Sequence, residues 1–156
     1  MPTLQEMIDE HQNTHRVPAW TGTFKDYLSM ALANPNLVRG AHARLYQMIR
    51  SKGVVLDEEK KEHYAFFDND LFGIDEPIAR VVEYFKAAAV GSDVGKRILL
   101  LYGPPSSGKS QLVILMKRGL EEFTTMPEGA VYAIADCPQH EDPLNLVPHA
   151  LRTEFQ

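Results

Sequence analysis

Eight consecutive residues, Gly103-Pro104-Pro105-Ser106-Ser107-Gly108-Lys109-Ser110, carry the most distinctive chemistry in this sequence. They fit the pattern G-x-x-x-x-G-K-[ST], whose physical basis is anion capture. A polyphosphate is a dense block of negative charge, and a loop holds it by turning many backbone N–H groups toward one concavity. Gly103 and Gly108 can take positive φ and have no Cβ to collide with phosphate oxygens, while Pro104 and Pro105 stiffen the entry by fixing φ. Lys109 would reach the β and γ phosphates, and Ser110 would offer its hydroxyl to Mg²⁺. Ser106 and Ser107 stand where many such loops have glycine. A serine held at positive φ costs on the order of 1 kcal/mol, enough to weaken binding without abolishing it.

Such a loop needs a strand before it and a helix after it. Arg97-Ile98-Leu99-Leu100-Leu101-Tyr102 reads as a buried strand, and Leu112, Leu115, Met116, Gly119 and Leu120 give the next segment one apolar helical face. That helix points its positive dipole end at the phosphates. Ala130-Val131-Tyr132-Ala133-Ile134-Ala135 has the content of a second buried strand, so a right-handed crossover and a parallel sheet are expected. The polar loop 136–143 follows. Cys137 and His140 have the spacing of a metal pair, but the sequence offers no further Cys or His pair to complete a zinc site.

A hydrolysing enzyme of this class also needs an acid at another strand end to hold Mg²⁺ and orient water, and often an arginine against the γ-phosphate. Asp136 is the only acid at a strand end, on a strand that usually does not supply this group. The chain therefore reads as the N-terminal piece of something longer, holding the cradle without the full catalytic set.

Upstream, Thr3 to Glu10 reads as a short helix with a Thr3/Glu6 capping box, and 11–23, with Pro18, Trp20 and Gly22, as an irregular connection. Thr23 starts a helix with Phe24, Tyr27, Leu28 and Ala31 on one face, ended by Asn34-Pro35. Leu37, Ala41, Leu45, Met48 and Ile49 keep a helical period as far as Ser51-Lys52-Gly53, with His42 and Arg44 read as solvated or capped side chains. Asp57 to Glu62 is a charge run, expected as an exposed helix turn or linker. After the aromatic-rich stretch 64–74, Asp75 is expected to cap a helix with Pro77 in its first turn, and Ile78, Val81, Val82, Phe85 and Ala89 line one face. Gly91 stops it.

At 156 residues, 44% hydrophobic and 24% charged, the chain has the composition of about one soluble domain. A net charge of −5 offers no basic surface for nucleic acid. The single cysteine excludes an internal disulfide. The absence of a long apolar run or signal peptide argues against a membrane partner and for the cytoplasm.

Several stretches together resemble the PrkA-type serine protein kinase family. They are Phe24-Lys25-Asp26-Tyr27-Leu28, Asn34-Pro35, 41–49, Phe66-Phe67, Leu71-Phe72-Gly73-Ile74, 82–89, Ile98 to Ser110 and 137–144. The resemblance implies an α/β P-loop NTPase core of AAA+ type with a parallel sheet, incomplete in this chain. It would occupy 63–156, behind a helical N-terminal segment over 1–62. It implies an ATP site with adenine near Phe72, Gly73 and Ile74, and with phosphates held by Gly103 through Gln111, Mg²⁺ being held by Ser110 through ATP. It also implies that the longer protein is an ATPase that transfers phosphoryl groups from ATP to protein serine, with a protein substrate or partner. No residue of this chain is assigned a catalytic role. A second class of function keeps 1–92 as a helical interaction platform, with nucleotide setting a homo-oligomeric state and no turnover. A compact small-molecule kinase fits less well, because its loop usually lies near the N-terminus.

Overall fold

The computed structural model describes residues 3–7, 20–56 and 61–155, with side chains as far as Arg152. Residues 8–19 and 57–60, which hold the end of the first expected helix, Pro18 and most of the charge run, lie outside the described residues. Two compact units are present, one built from the chain's two ends (1–38 with 124–156) and one from Arg39–Phe123.

In the first unit, residues 4–7 are helical, and Thr3 and Glu6 exchange the two bonds of a capping box. Helix α1 (Phe24–Ala33) repeats the device, with Thr23 accepting from the Asp26 amide and the Asp26 carboxylate accepting from Thr23. Each box satisfies amides that the helix itself leaves open. Tyr27 and Ala31 are the buried pair of α1. The Tyr27 ring meets Tyr132 edge-on at 5.8 Å, and its hydroxyl reaches Asp142 at 3.3 Å. Residues 134–141 form a double turn, closed by Ile134 N–H donating to Glu141 O at 2.9 Å. Asp136 and His140 take positive φ there. A 3₁₀ turn at Pro143–Leu146 is followed by a 3₁₀ segment, His149–Phe155.

The second unit holds α2 (Ala41–Ser51), β1 (Val54–Leu56), β2 (Glu62–Tyr64), α3 (Asp75–Ala89) and α4 (Lys109–Thr124, whose last residue belongs to the first unit). Met48, Ile49, Phe67 and Val82 are fully buried at its centre. Burying each such side chain contributes about 1.5–3 kcal/mol. Leu112, Met116 and Phe123 bring α4 onto the same core. Gly119 sits on that face because nothing larger fits: a Cβ there would lie 2.6 Å from the Phe66 ring.

The last residue of the charge run, Glu62, opens β2, which pairs antiparallel with β1, Val54 opposite Tyr64 and Leu56 opposite Glu62. Two expectations about α2 and α3 need correction. Asp75 is the first residue of α3, with Ile74 in the capping place, which frees the Asp75 carboxylate to face His63. Arg44 is buried rather than solvated, and its guanidinium donates to Arg39 O at 3.3 Å. His42 is half-buried against the rings of Tyr84 and Phe85.

The expected parallel sheet is not formed by the described residues. Among the described residues the only sheet is the β1–β2 hairpin, and neither 97–102 nor 130–135 joins a ladder. Both still show the period-two alternation of a strand. Leu99 and Leu101 pack on the core of the second unit, while Ile98, Leu100 and Tyr102 are 94%, 78% and 95% exposed. Ala130, Tyr132 and Ile134 are half-buried between exposed Val131, Ala133 and Ala135. Each segment is thus covered on one face. A run apolar at every position reads as buried on both, and here no described element lies on the second.

Candidate phosphate-binding site

The loop is entered from a fixed point. Tyr84 on α3 donates its hydroxyl to Arg97 O at 2.9 Å, which ties the start of 97–102 to a helix packed in the core. Leu99 and Leu101 anchor the segment from the same side. The loop then turns through Gly103 to Gly108, and α4 begins at Lys109 with the Leu112 amide donating to Gly108 O at 2.8 Å.

Two residues of the turn lie in the left-handed region, Gly108 at φ 80° and Ser106 at φ 62°. The first is the freedom expected of the second glycine. The second is the strain expected of a serine in this loop. Gly103 is not among the positive-φ residues. Its use is space: a Cβ there would point into the loop, 3.2 Å from Ser107 Oγ and 4.0 Å from Lys109 Nζ. The concavity is one that a side chain at Gly103 would occupy.

Lys109 folds back across this concavity. Its ammonium donates to Gly103 O at 3.0 Å, Pro104 O at 2.5 Å and Ser107 Oγ at 2.8 Å. An ammonium has three donors, and the loop supplies three acceptors. The cation is therefore held at the mouth of the loop beside the first turn of α4, whose free amides carry partial positive charge. Ser110 and Gln111 are exposed in that first turn. Fixed positive charge, a helix N-terminus and a hollow with no Cβ at Gly103 together suit a phosphate group.

Behind the loop lies the segment 71–74. A Cβ on Gly108 would sit 3.4 Å from Ile74 Cδ1 and 3.5 Å from Leu71 Cδ2, so both side chains back directly onto the loop's second glycine. Gly73 takes φ 69°, and Phe72 turns outward, 78% exposed. The structure thus brings Ile74 against Gly108, next in sequence to Lys109, while Phe72 and Gly73 are exposed. Leu71 was not anticipated. Its signal was the single glycine of Leu71-Phe72-Gly73-Ile74, whose positive φ makes the bend between Leu71 and Ile74.

His63 was also missed. Its Nε2 donates to Asp68 Oδ1 at 2.6 Å, and its Nδ1 lies 3.7 Å from Asp75 Oδ1. On the other side of β2, Tyr64 donates to the Glu62 carboxylate. That bond, aided by Lys86, holds the Glu62 carboxyl below the usual carboxylate range against its own partial burial. Burial, with the same carboxylate second, pushes the Tyr64 phenol well above its ordinary value. Among the described residues no group of three or more His, Cys, Asp or Glu is arranged to hold a metal. No described helix is long and apolar enough to cross a membrane.

A family model described as the PrkA AAA domain matches residues 22–156, nearly the whole chain. The chain belongs to the PrkA AAA domain family. Membership in this AAA family carries nucleotide binding and a P-loop NTPase fold with it. Among relatives of this PrkA AAA chain, the ATP-dependent protease PrkA of Bacillus subtilis is 49% identical over 154 residues, covering 97% of the chain and 24% of the relative. A serine/threonine kinase YeaG of Escherichia coli is 32% identical over 115 residues, covering 74% of the chain and 16% of the relative. A Lon protease of Desulfosudis oleivorans is 33% identical over 81 residues, covering 51% of the chain and 10% of the relative. The chain spans about a quarter of the length of the Bacillus relative, and less of the other two. No solved structure matches it.

Proposed function

We propose that this PrkA AAA chain is the ATP-holding part of a larger AAA ATPase that phosphorylates protein serine. The observation that carries the nucleotide reading is the Lys109 ammonium, held by three loop acceptors over a hollow into which a Cβ at Gly103 would project. Backbone N–H groups of the 103–111 loop, which Pro104 and Pro105 lack, would hold the phosphates, and Lys109 would exchange its loop carbonyls for β and γ oxygens. Ser110 would hold Mg²⁺ together with the phosphates, and the bound ion would offset their charge. Adenine would rest against the rim formed by Phe72, Gly73 and Ile74.

We further assign 97–102 and 130–135 to a parallel sheet, with 63–156 as the first part of the nucleotide-binding module and 1–62 as its helical lead-in. The apolar side chains of Ile98, Leu100 and Tyr102, opposite the buried-side Leu99 and Leu101, support that assignment, since a parallel strand is apolar on both of its faces. Relatives named for proteolysis and for kinase activity share this segment, so the nucleotide step is the part of the reading that holds for either name. Transfer to serine rests on the family resemblance and on the name of the Escherichia relative.

Calorimetric titration of the chain with ATP tests the site, in Mg²⁺ and in a chelator. Binding should be tighter with Mg²⁺, and Ser110→Ala should remove that difference while leaving metal-free binding unchanged. Wild-type binding indifferent to Mg²⁺ would refute the assignment of Ser110. If the longer protein binds ATP, changes oligomeric size and releases no ADP, the assembly reading replaces the kinase reading.

A further inference from the structure

The segment that backs the phosphate loop is irregular, and its backbone bonds lie in its first turn, where the Asp70 and Leu71 amides donate to Phe67 O. Between the 3₁₀ turn at Ala65–Phe67 and the start of α3 at Asp75, residues 68–74 form turns and a bend, with Gly73 at positive φ. Leu71 is buried in the core and Ile74 packs against it, and both abut Gly108. A single imidazole spans the two ends of this segment. His63 on β2 donates from Nε2 to Asp68 at its start, while its Nδ1 faces Asp75 at its end. The recess around the ring is lined by Glu62, Tyr64, Phe67, Asp68, Leu71, Asp75 and Ile78, so it opens beside the buried Leu71 itself. β2 in turn is fixed by its ladder to β1 and by the burial of Tyr64.

We infer that His63 is a positioning residue for the base-side wall of the nucleotide site. It donates to Asp68 and lies 3.7 Å from Asp75, and so sets where Phe72, Gly73 and Ile74 stand relative to Gly108. This inference rests on the nucleotide reading above and assigns within it a residue that the loop motif does not contain. Loss of this bond should loosen the base wall more than the phosphate grip, because Leu71 stays anchored in the core and Lys109 is held by Gly103 O, Pro104 O and Ser107 Oγ. The ligand consequence is selective: contacts to the nucleoside weaken more than contacts to the phosphate chain.

Titrations of the chain with ATP and with inorganic tripolyphosphate separate the two. His63→Ala should weaken ATP about 5- to 10-fold, the equivalent of roughly 1–1.4 kcal/mol, and weaken tripolyphosphate less. His63→Gln, whose amide can still donate to Asp68, should restore ATP affinity to within about twofold, the loss of one weak polar contact being of that size. Asp68→Ala should match His63→Ala, and the double variant should be no worse, since both remove one interaction. The inference is overturned if His63→Ala binds ATP like wild type, if both ligands weaken equally, or if His63→Gln is as poor as the alanine variant. Should His63→Ala fail to fold, Asp68→Asn and His63→Gln carry the same comparison. Wild-type protein that binds neither ligand would overturn the nucleotide reading and this inference with it, an outcome distinct from intact ATP binding that ignores His63.

Discussion

Gly108 joins the two halves of the site, and replacing it with alanine isolates one physical quantity. The residue holds φ 80°, where an L side chain costs about 1–2 kcal/mol. Space is not the obstacle, because the new Cβ would meet Ile74 Cδ1 at 3.4 Å and Leu71 Cδ2 at 3.5 Å, ordinary contact distances. The penalty therefore falls on the backbone conformation alone. Alanine also restricts the unfolded chain, which returns about 0.4–1 kcal/mol to global stability. Melting temperature should then move by only a few degrees, at about 2–4 °C per kcal/mol for a chain of this size. Without ligand the variant loop is expected to relax out of the turn, and it must readopt the strained turn to present its amides, so the strain appears in binding rather than in the melt. ATP affinity should fall about 5- to 30-fold, the equivalent of 1–2 kcal/mol. Calorimetry and a thermal melt on the same preparation make the test. A folded Gly108→Ala protein with wild-type ATP affinity would show that the positive-φ turn has no part in holding phosphate.

Ser106→Gly should relieve the strain at φ 62° and tighten ATP by up to about fivefold in the same titration; weaker binding would mean that the serine hydroxyl itself contributes. Gly119→Ala should destabilise, because its Cβ would stand 2.6 Å from Phe66 and 2.9 Å from Met48 Sδ. Overpacking of about 1–3 kcal/mol outweighs a helix-propensity gain of about 1 kcal/mol, so the melting temperature should drop by a few degrees; a rise would contradict the packing. The Glu62–Tyr64 bond should shape stability at both ends of the pH scale. Glu62 titrates below its ordinary 4.5 when folded, so its contribution is complete above that value and is lost as pH falls beneath it. The Tyr64 phenol is raised from its ordinary 10.0, so its contribution is complete below that value and is lost as pH rises above it. Urea melts across pH should show both losses flattened in Tyr64→Phe, and an unchanged profile would remove the bond from the account.

The helices were legible because their signals are local. Thr23 with Asp26 marks the start of α1, the spacing of Ile78, Val81, Val82 and Phe85 marks the face of α3, and Gly91 at φ 75° marks its end. The loop was legible for the same reason, as eight adjacent residues with one chemical purpose. The hairpin was not: its strands are three residues each, and Glu62 and His63 are poor strand formers. Nor could the His63 contacts be read, since His63, Asp68 and Asp75 come together only through the turn between them. Arg44 misled because arginine is usually solvated, and only the tertiary packing of α2 buries it. The run 97–102 misled in the opposite way, its unbroken apolar content hiding the fact that only one of its faces is covered.

The central claim is that Lys109 and the loop around it grip a phosphate chain, and affinity as a function of phosphate number tests it most directly. Titrations with ATP, ADP and AMP should show wild-type affinity falling in that order. Lys109→Ala should lose about 10- to 100-fold for ATP, the value of a charge-assisted hydrogen bond, and almost nothing for AMP. Equal losses for all three nucleotides, or undiminished ATP binding by the variant, would contradict it.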